Sequence, residues 1–145
     1  MKAIWWGGFL CGVLDISAAF VTWGVRGIGP ARILRSVARG VLGPSATQGG
    51  FGTAVLGLFL HFTIAFIWAA IYWAASRGMR VLARRWVPFG MLYGIVVFAV
   101  MNWVVLPLSA VGRAPTLNTQ ALVIAVLTHM FCVGLPIAWA TRKFQ

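Results

Sequence analysis

Three ionisable residues sit where a carboxylate or an imidazole is hardest to accommodate. Asp15 is the only acidic residue in the chain, and His61 and His129 are its only histidines. Each falls near the middle of a long apolar run. Ionisable groups at such depth in a bilayer face a bundle interior and mark sites. Burial disfavours the charged form of both residue types, so a neighbouring aspartate and histidine could trade a proton. Two histidines on facing helices are also the usual axial ligands of a membrane b-type haem. With Cys11 and Cys132 they form a nitrogen and sulfur donor set that suits zinc or copper. The third chemistry is the simplest, namely buried hydrogen bonds that fix helix packing. Asn102 completes the buried polar set, somewhat off the common depth. No Gly-rich phosphate loop, CxxC or HExxH spacing occurs, and one carboxylate cannot form an acid/base pair, so catalysis has little to stand on.

These residues need elements to carry them. Apolar runs cover residues 3–25, 51–76, 87–111 and 119–140. Each reaches the roughly 20 residues that cross a hydrocarbon core. Backbone polar groups have no water there, so each run is predicted helical. Asp15 then lies about 18 Å along the first helix, and His61 and His129 about 15 Å along the second and fourth. Gly8, Cys11, Gly12 and Asp15 follow the i, i+3, i+4, i+7 pattern and share a face. Gly8 and Gly12 make a GxxxG pair, which predicts close approach of a neighbouring backbone. His129 and Cys132 share a face of the fourth helix, and Gly57, His61 and Ala65 form a stripe on the second.

Composition agrees. Of 145 residues, 61% are hydrophobic and 9% charged, and the mean hydropathy is +0.94. A soluble domain of that size cannot hide so much apolar surface. The net charge of +11 has the size of a nucleic-acid binder's. Its residues, however, flank the apolar runs and form no single basic face, so no nucleic acid is expected. Lys2, Arg77, Arg80, Arg84, Arg85, Arg142 and Lys143 fall on one side of the predicted membrane; Arg26, Arg32, Arg35, Arg39 and Arg113 fall on the other. The richer side is cytoplasmic by the positive-inside rule, which puts both termini inside. A cleaved signal peptide is not expected, because the first apolar run continues past Ser17, Ala18 and Ala19.

The connection between the first two runs is long. Pro30 suits a first helical turn. Arg32, Arg35 and Arg39 recur at helical spacing, with Ile33, Leu34, Val37 and Val41 opposite. This predicts an amphipathic helix in the membrane interface, its arginines facing lipid phosphates, ended by Gly43 and Pro44. An internal echo also exists. Gly8 to Gly12 resembles Gly90 to Gly94, and His61 followed by Trp73 resembles His129 followed by Trp139, as a parallel duplication would produce.

Four blocks carry a resemblance: residues 33–44; residues 57–62; residues 101–105 with 107–110; and residues 129–138. Together they resemble a family of small, uncharacterised four-helix bacterial inner-membrane proteins. The resemblance implies a multi-pass inner-membrane protein and no particular activity. The resulting expectation is one all-α domain over residues 1–145: an integral membrane four-helix bundle with an interfacial amphipathic helix between helices one and two. Its partners are the bilayer, anionic lipid head groups, and a second copy or a larger membrane complex. The favoured function is non-enzymatic, with a buried Asp15, His61, Asn102 and His129 site for helix packing, proton or ion handling, or ligand and partner binding. The alternative is an electron-transfer protein holding haem b or a metal through His61 and His129.

Overall fold

Helix is the only regular structure in the described residues, 1–144, of the computed structural model. Four helices are long and apolar enough to cross a membrane: α1 (Lys2–Gly24), α3 (Phe51–Gly78), α4 (Trp86–Leu108) and α5 (Thr119–Phe144). Between the first two lies α2 (Pro30–Leu42), with Pro30 in its first turn as expected. α2 stops at Gly43, whose φ of +66° is a conformation that glycine adopts without steric cost. The chain then makes a 3-10 turn, Gly43–Gln48, before α3. Asn118 caps α5 by accepting from the Ala121 N–H at 2.8 Å, which satisfies one of the orphan donors of a helix start. We call the end holding the start of α1 and the last turns of α5 the terminal end, and the opposite end, with α2 and residues 109–118, the loop end.

The interior is built from small residues. Ala3, Cys11, Ala54, Ala65, Ala69, Ala138 and Ala140 are buried, whereas Trp5, Phe9, Val21, Phe51 and Phe59 are exposed. That inversion is what helix association in lipid calls for, since close backbone approach replaces hydrophobic burial as the drive. Backbones approach very closely where α4 meets α5. A Cβ at Gly134 would land on the Gly90 carbonyl, and one at Gly94 on the His129 carbonyl. Gly57 plays the same part beneath α2, under the Leu34 carbonyl. The Gly8 and Gly12 pair behaves differently from the expectation. It seats two rings of α3, Phe66 against Gly8 and Phe62 against Gly12. The large side chains of α3 at these positions fill the notch that a second backbone would have occupied.

Two segments are wound as π-helix, Met101–Val105 in α4 and His129–Gly134 in α5. Each lies just before or around the fourth residue upstream of a proline, Pro107 or Pro136. Proline lacks an N–H and its ring clashes with the carbonyl four residues back, here Trp103 or Cys132. A wider turn moves that carbonyl aside, and such π segments recur at functional sites.

α1 packs along α3 on one face and along the terminal half of α5 on another. It scarcely touches the loop-end half of α5, where no residue of Thr119–Thr128 is buried. The two helices therefore diverge from the π segment toward the loop end. α2 folds back against the first turns of α3, burying Ile33 and Ala38 while Val41 stays exposed. The loop after α4 docks on it, with the Ala110 N–H donating to the Gly40 carbonyl at 3.0 Å.

Candidate functional site

The divergence of α1 and α5 leaves a cleft of ≈ 190 Å³. Its α1 wall is a helical stripe of Asp15, Ala18, Ala19 and Thr22, extended by Arg26 in the turn after α1, at the three- and four-residue spacings that share a face. Its other wall is Leu117 of the preceding loop with Ala121, Ala125 and Thr128 of α5, and His129 lies at the floor. Small residues face one another across the gap. Asp15 and His129 lie at the deep end, and Arg26 lies eleven residues further on, about 16 Å away by helical rise. The Arg26 guanidinium sits over the Trp23 ring, 5.0 Å from its centroid, a cation–π arrangement that holds it at the mouth.

Asp15 is partly accessible, and no hydrogen bond or ion pair joins it to another described residue. Its carboxylate shares the cleft with His129 without touching it directly. The space between them suits water or a small solute, since one water needs only about 10–15 Å³ of such volume. Cys11 and Cys132 lie within electrostatic range of Asp15, so four chemically versatile side chains gather around the π segment of α5.

The two histidines are used differently. His61 Nε2 lies 2.9 Å from the Gly12 carbonyl of α1. A carbonyl only accepts, so Nε2 carries the proton and donates. That bond ties α3 to α1 beside the seat of the Phe62 ring. His129 Nδ1 donates in the same way, but to Ala125 of its own helix at 2.8 Å. Its neutral form therefore keeps the Nε2 lone pair free. The Phe98 ring meets the imidazole edge to face at 5.3 Å and limits its rotation.

The predicted buried set thus separates. Asp15 and His129 come together. His61 lines the α1–α3 seam and not the cleft. Asn102 donates to the Phe98 carbonyl at 2.8 Å, inside its own helix. It satisfies a carbonyl near the π segment of α4 and does not reach Asp15. Sequence reasoning did not single out Thr22, Thr128 or Arg26. The signal was present for Thr22 and Arg26, which continue the Asp15 stripe at helical spacing.

Of the three arginines expected to face lipid, Arg32 is exposed. Arg35 turns inward and donates to the Gly49 carbonyl at 2.6 Å. Arg39 borders a groove with Arg113 and Leu106.

The donor set can be tested against a metal or haem. Among the described residues no three histidine, cysteine or acidic side chains gather closely enough to hold a metal ion. The His61 Nε2 is committed to the Gly12 carbonyl of α1, and of the two histidines only His129 faces the cleft. The cleft is also smaller than the roughly 300–1,000 Å³ of pockets that enclose larger ligands. These features do not favour a bis-histidine haem. No known protein family, curated protein or solved structure matches the chain.

Proposed function

We propose that the chain is a non-enzymatic, multi-pass protein of a bacterial inner membrane, and that its Asp15–His129 cleft takes up a proton or a small cation. Both termini lie in the cytoplasm in this reading, and α2 lies in the opposite interface with Arg32 toward lipid phosphates. The membrane part is supported by four apolar helices of spanning length and by large apolar side chains on the outside. The orientation is supported by the greater basic charge of the terminal end.

One observation carries the site: the chain's only acidic side chain stands at mid-helix depth with no partner among the described residues, in a cleft shared with a histidine whose Nε2 is free. An unpaired carboxylate at that depth is costly, so it belongs with a proton or a cation. The cleft widens toward the loop end, which supplies a water path to Asp15 from that side alone. The arrangement fits a terminal binding or sensing site better than a through-path, because Cys11 and the tight α1–α5 contact close the way to the terminal end.

Carbodiimide labelling tests this reading. Such reagents modify a protonated carboxylic acid. Peptide mapping of purified protein is expected to find an adduct at Asp15, formed more slowly as pH rises and missing from that peptide in Asp15→Asn. In vesicles, a water-soluble carbodiimide should reach Asp15 from the loop-end side only. Folded protein that stays unmodified at Asp15 across pH 5 to 8 overturns the reading.

A further inference from the structure

At the terminal end, four arginines converge with no acidic side chain among the described residues around them. Arg77 ends α3, Arg80 and Arg84 flank and close the short helix Val81–Arg84, and Arg142 lies in the last turn of α5. Together with Ala83 they line a hollow of ≈ 480 Å³. The chain's only acidic side chain, Asp15, is far down the bundle, so no carboxylate side chain can neutralise them. Like charges held together repel, and the cluster is most stable with an anion among them.

The hollow is held in shape. Tyr72, 2% exposed, donates to the Leu82 carbonyl at 3.0 Å, which pins the short helix against α3. Two of the guanidiniums lie over indole rings, Arg77 over Trp73 at 5.2 Å and Arg142 over Trp86 at 5.8 Å. Stacking on a ring face leaves the N–H fork free at its edge, in the geometry that grips phosphate oxygens. Indoles favour the membrane–water interface. Trp73 and Trp86 therefore hold the arginine heads where lipid phosphates lie. At the other basic end one guanidinium, Arg26, lies over an indole, and Arg35 already donates to Gly49.

We infer that this hollow is a binding site for an anionic phospholipid head group carrying two phosphates, of the diphosphatidylglycerol class. It rests on the membrane reading above. Two phosphodiesters bring two negative charges and four non-bridging oxygens to the four guanidiniums, whereas a single phosphodiester brings one charge and two such oxygens. Basic pockets between membrane helices on the cytoplasmic side take such head groups.

The test compares lipid adducts by native mass spectrometry on detergent-purified protein, with tetraoleoyl cardiolipin, dioleoyl phosphatidylglycerol, dioleoyl phosphatidylcholine and inorganic pyrophosphate as probes. Cardiolipin should bind at least tenfold more tightly than phosphatidylglycerol. Arg80→Gln with Arg84→Gln should weaken cardiolipin by about thirtyfold, taking each basic residue at the usual surface contribution. Arg32→Gln, at the other end, should change it less than twofold. Equal binding of cardiolipin and phosphatidylcholine, no loss in the double variant, or displacement by millimolar pyrophosphate overturns the inference. Reconstitution separates the two readings. A chain that fails to insert into vesicles overturns both, whereas one that inserts but shows no cardiolipin preference overturns this one alone.

Discussion

α1 presents two faces that meet their neighbours in opposite ways. Toward α3 it is closed: Phe62 and Phe66 fill the notches over Gly12 and Gly8, and His61 bonds the Gly12 carbonyl. Toward the loop-end half of α5 it is open, although the facing residues Ala18, Ala19, Ala121 and Ala125 are small enough for contact. Small residues permit close approach but do not compel it. What closes the first seam is the large side chain opposite each glycine. The second opens from the π segment of α5 onward, just where Asp15 and His129 stand. One seam holds the bundle and the other exposes a titratable pair.

The comparison can be broken most forcefully at Gly12. Gly12→Leu must expel the Phe62 ring from its seat and crowd the His61 bond. We expect a loss of about 3 kcal/mol, at the upper end of overpacking costs, measured by reversible unfolding in mixed micelles. Wild-type stability in this variant would mean that the α1–α3 seam is not tightly packed.

The histidines sharpen it further. His61→Ala removes a bond between helices and should cost about 1 kcal/mol, within the range found for interhelical hydrogen bonds. His129→Ala removes a bond within one helix, beside an open cleft, and should stay within about 0.5 kcal/mol of wild type. The same unfolding assay checks both. Equal losses would erase the distinction between a tying and a free histidine.

The smallest stability effect belongs to the cleft wall. Ala125→Leu extends into open space, so unfolding should shift by no more than about 0.5 kcal/mol. Carbodiimide labelling of Asp15 should nevertheless fall severalfold, because the added side chain blocks the approach. A large destabilisation would show that the two helices are already in contact there.

Much of this architecture was legible in the chain. Four apolar runs of spanning length could only be helices, because an apolar surrounding leaves backbone groups no other partner. Pro30 and Gly43 punctuate α2 by rules that act over a few residues. The seam positions of Gly8 and Gly12 followed from spacing, and so did the shared face of Cys11 and Asp15. The π segments were not foreseen, even though Pro107 and Pro136 are visible, because proline states that a helix must yield without stating how. Nor was the partner of the glycine pair, since a GxxxG notch is equally ready for a backbone or for a ring.

The sequence alone therefore determined the elements, their lengths and the depth of each polar residue, since helical rise converts residue number directly into position. Tertiary structure alone decided which polar residues meet. Helices of equal depth can be rotated about their axes and bent at a π segment at small energetic cost. Those two freedoms send His61 to the Gly12 carbonyl and Asn102 to its own helix, and they leave Asp15 facing His129 across an open cleft.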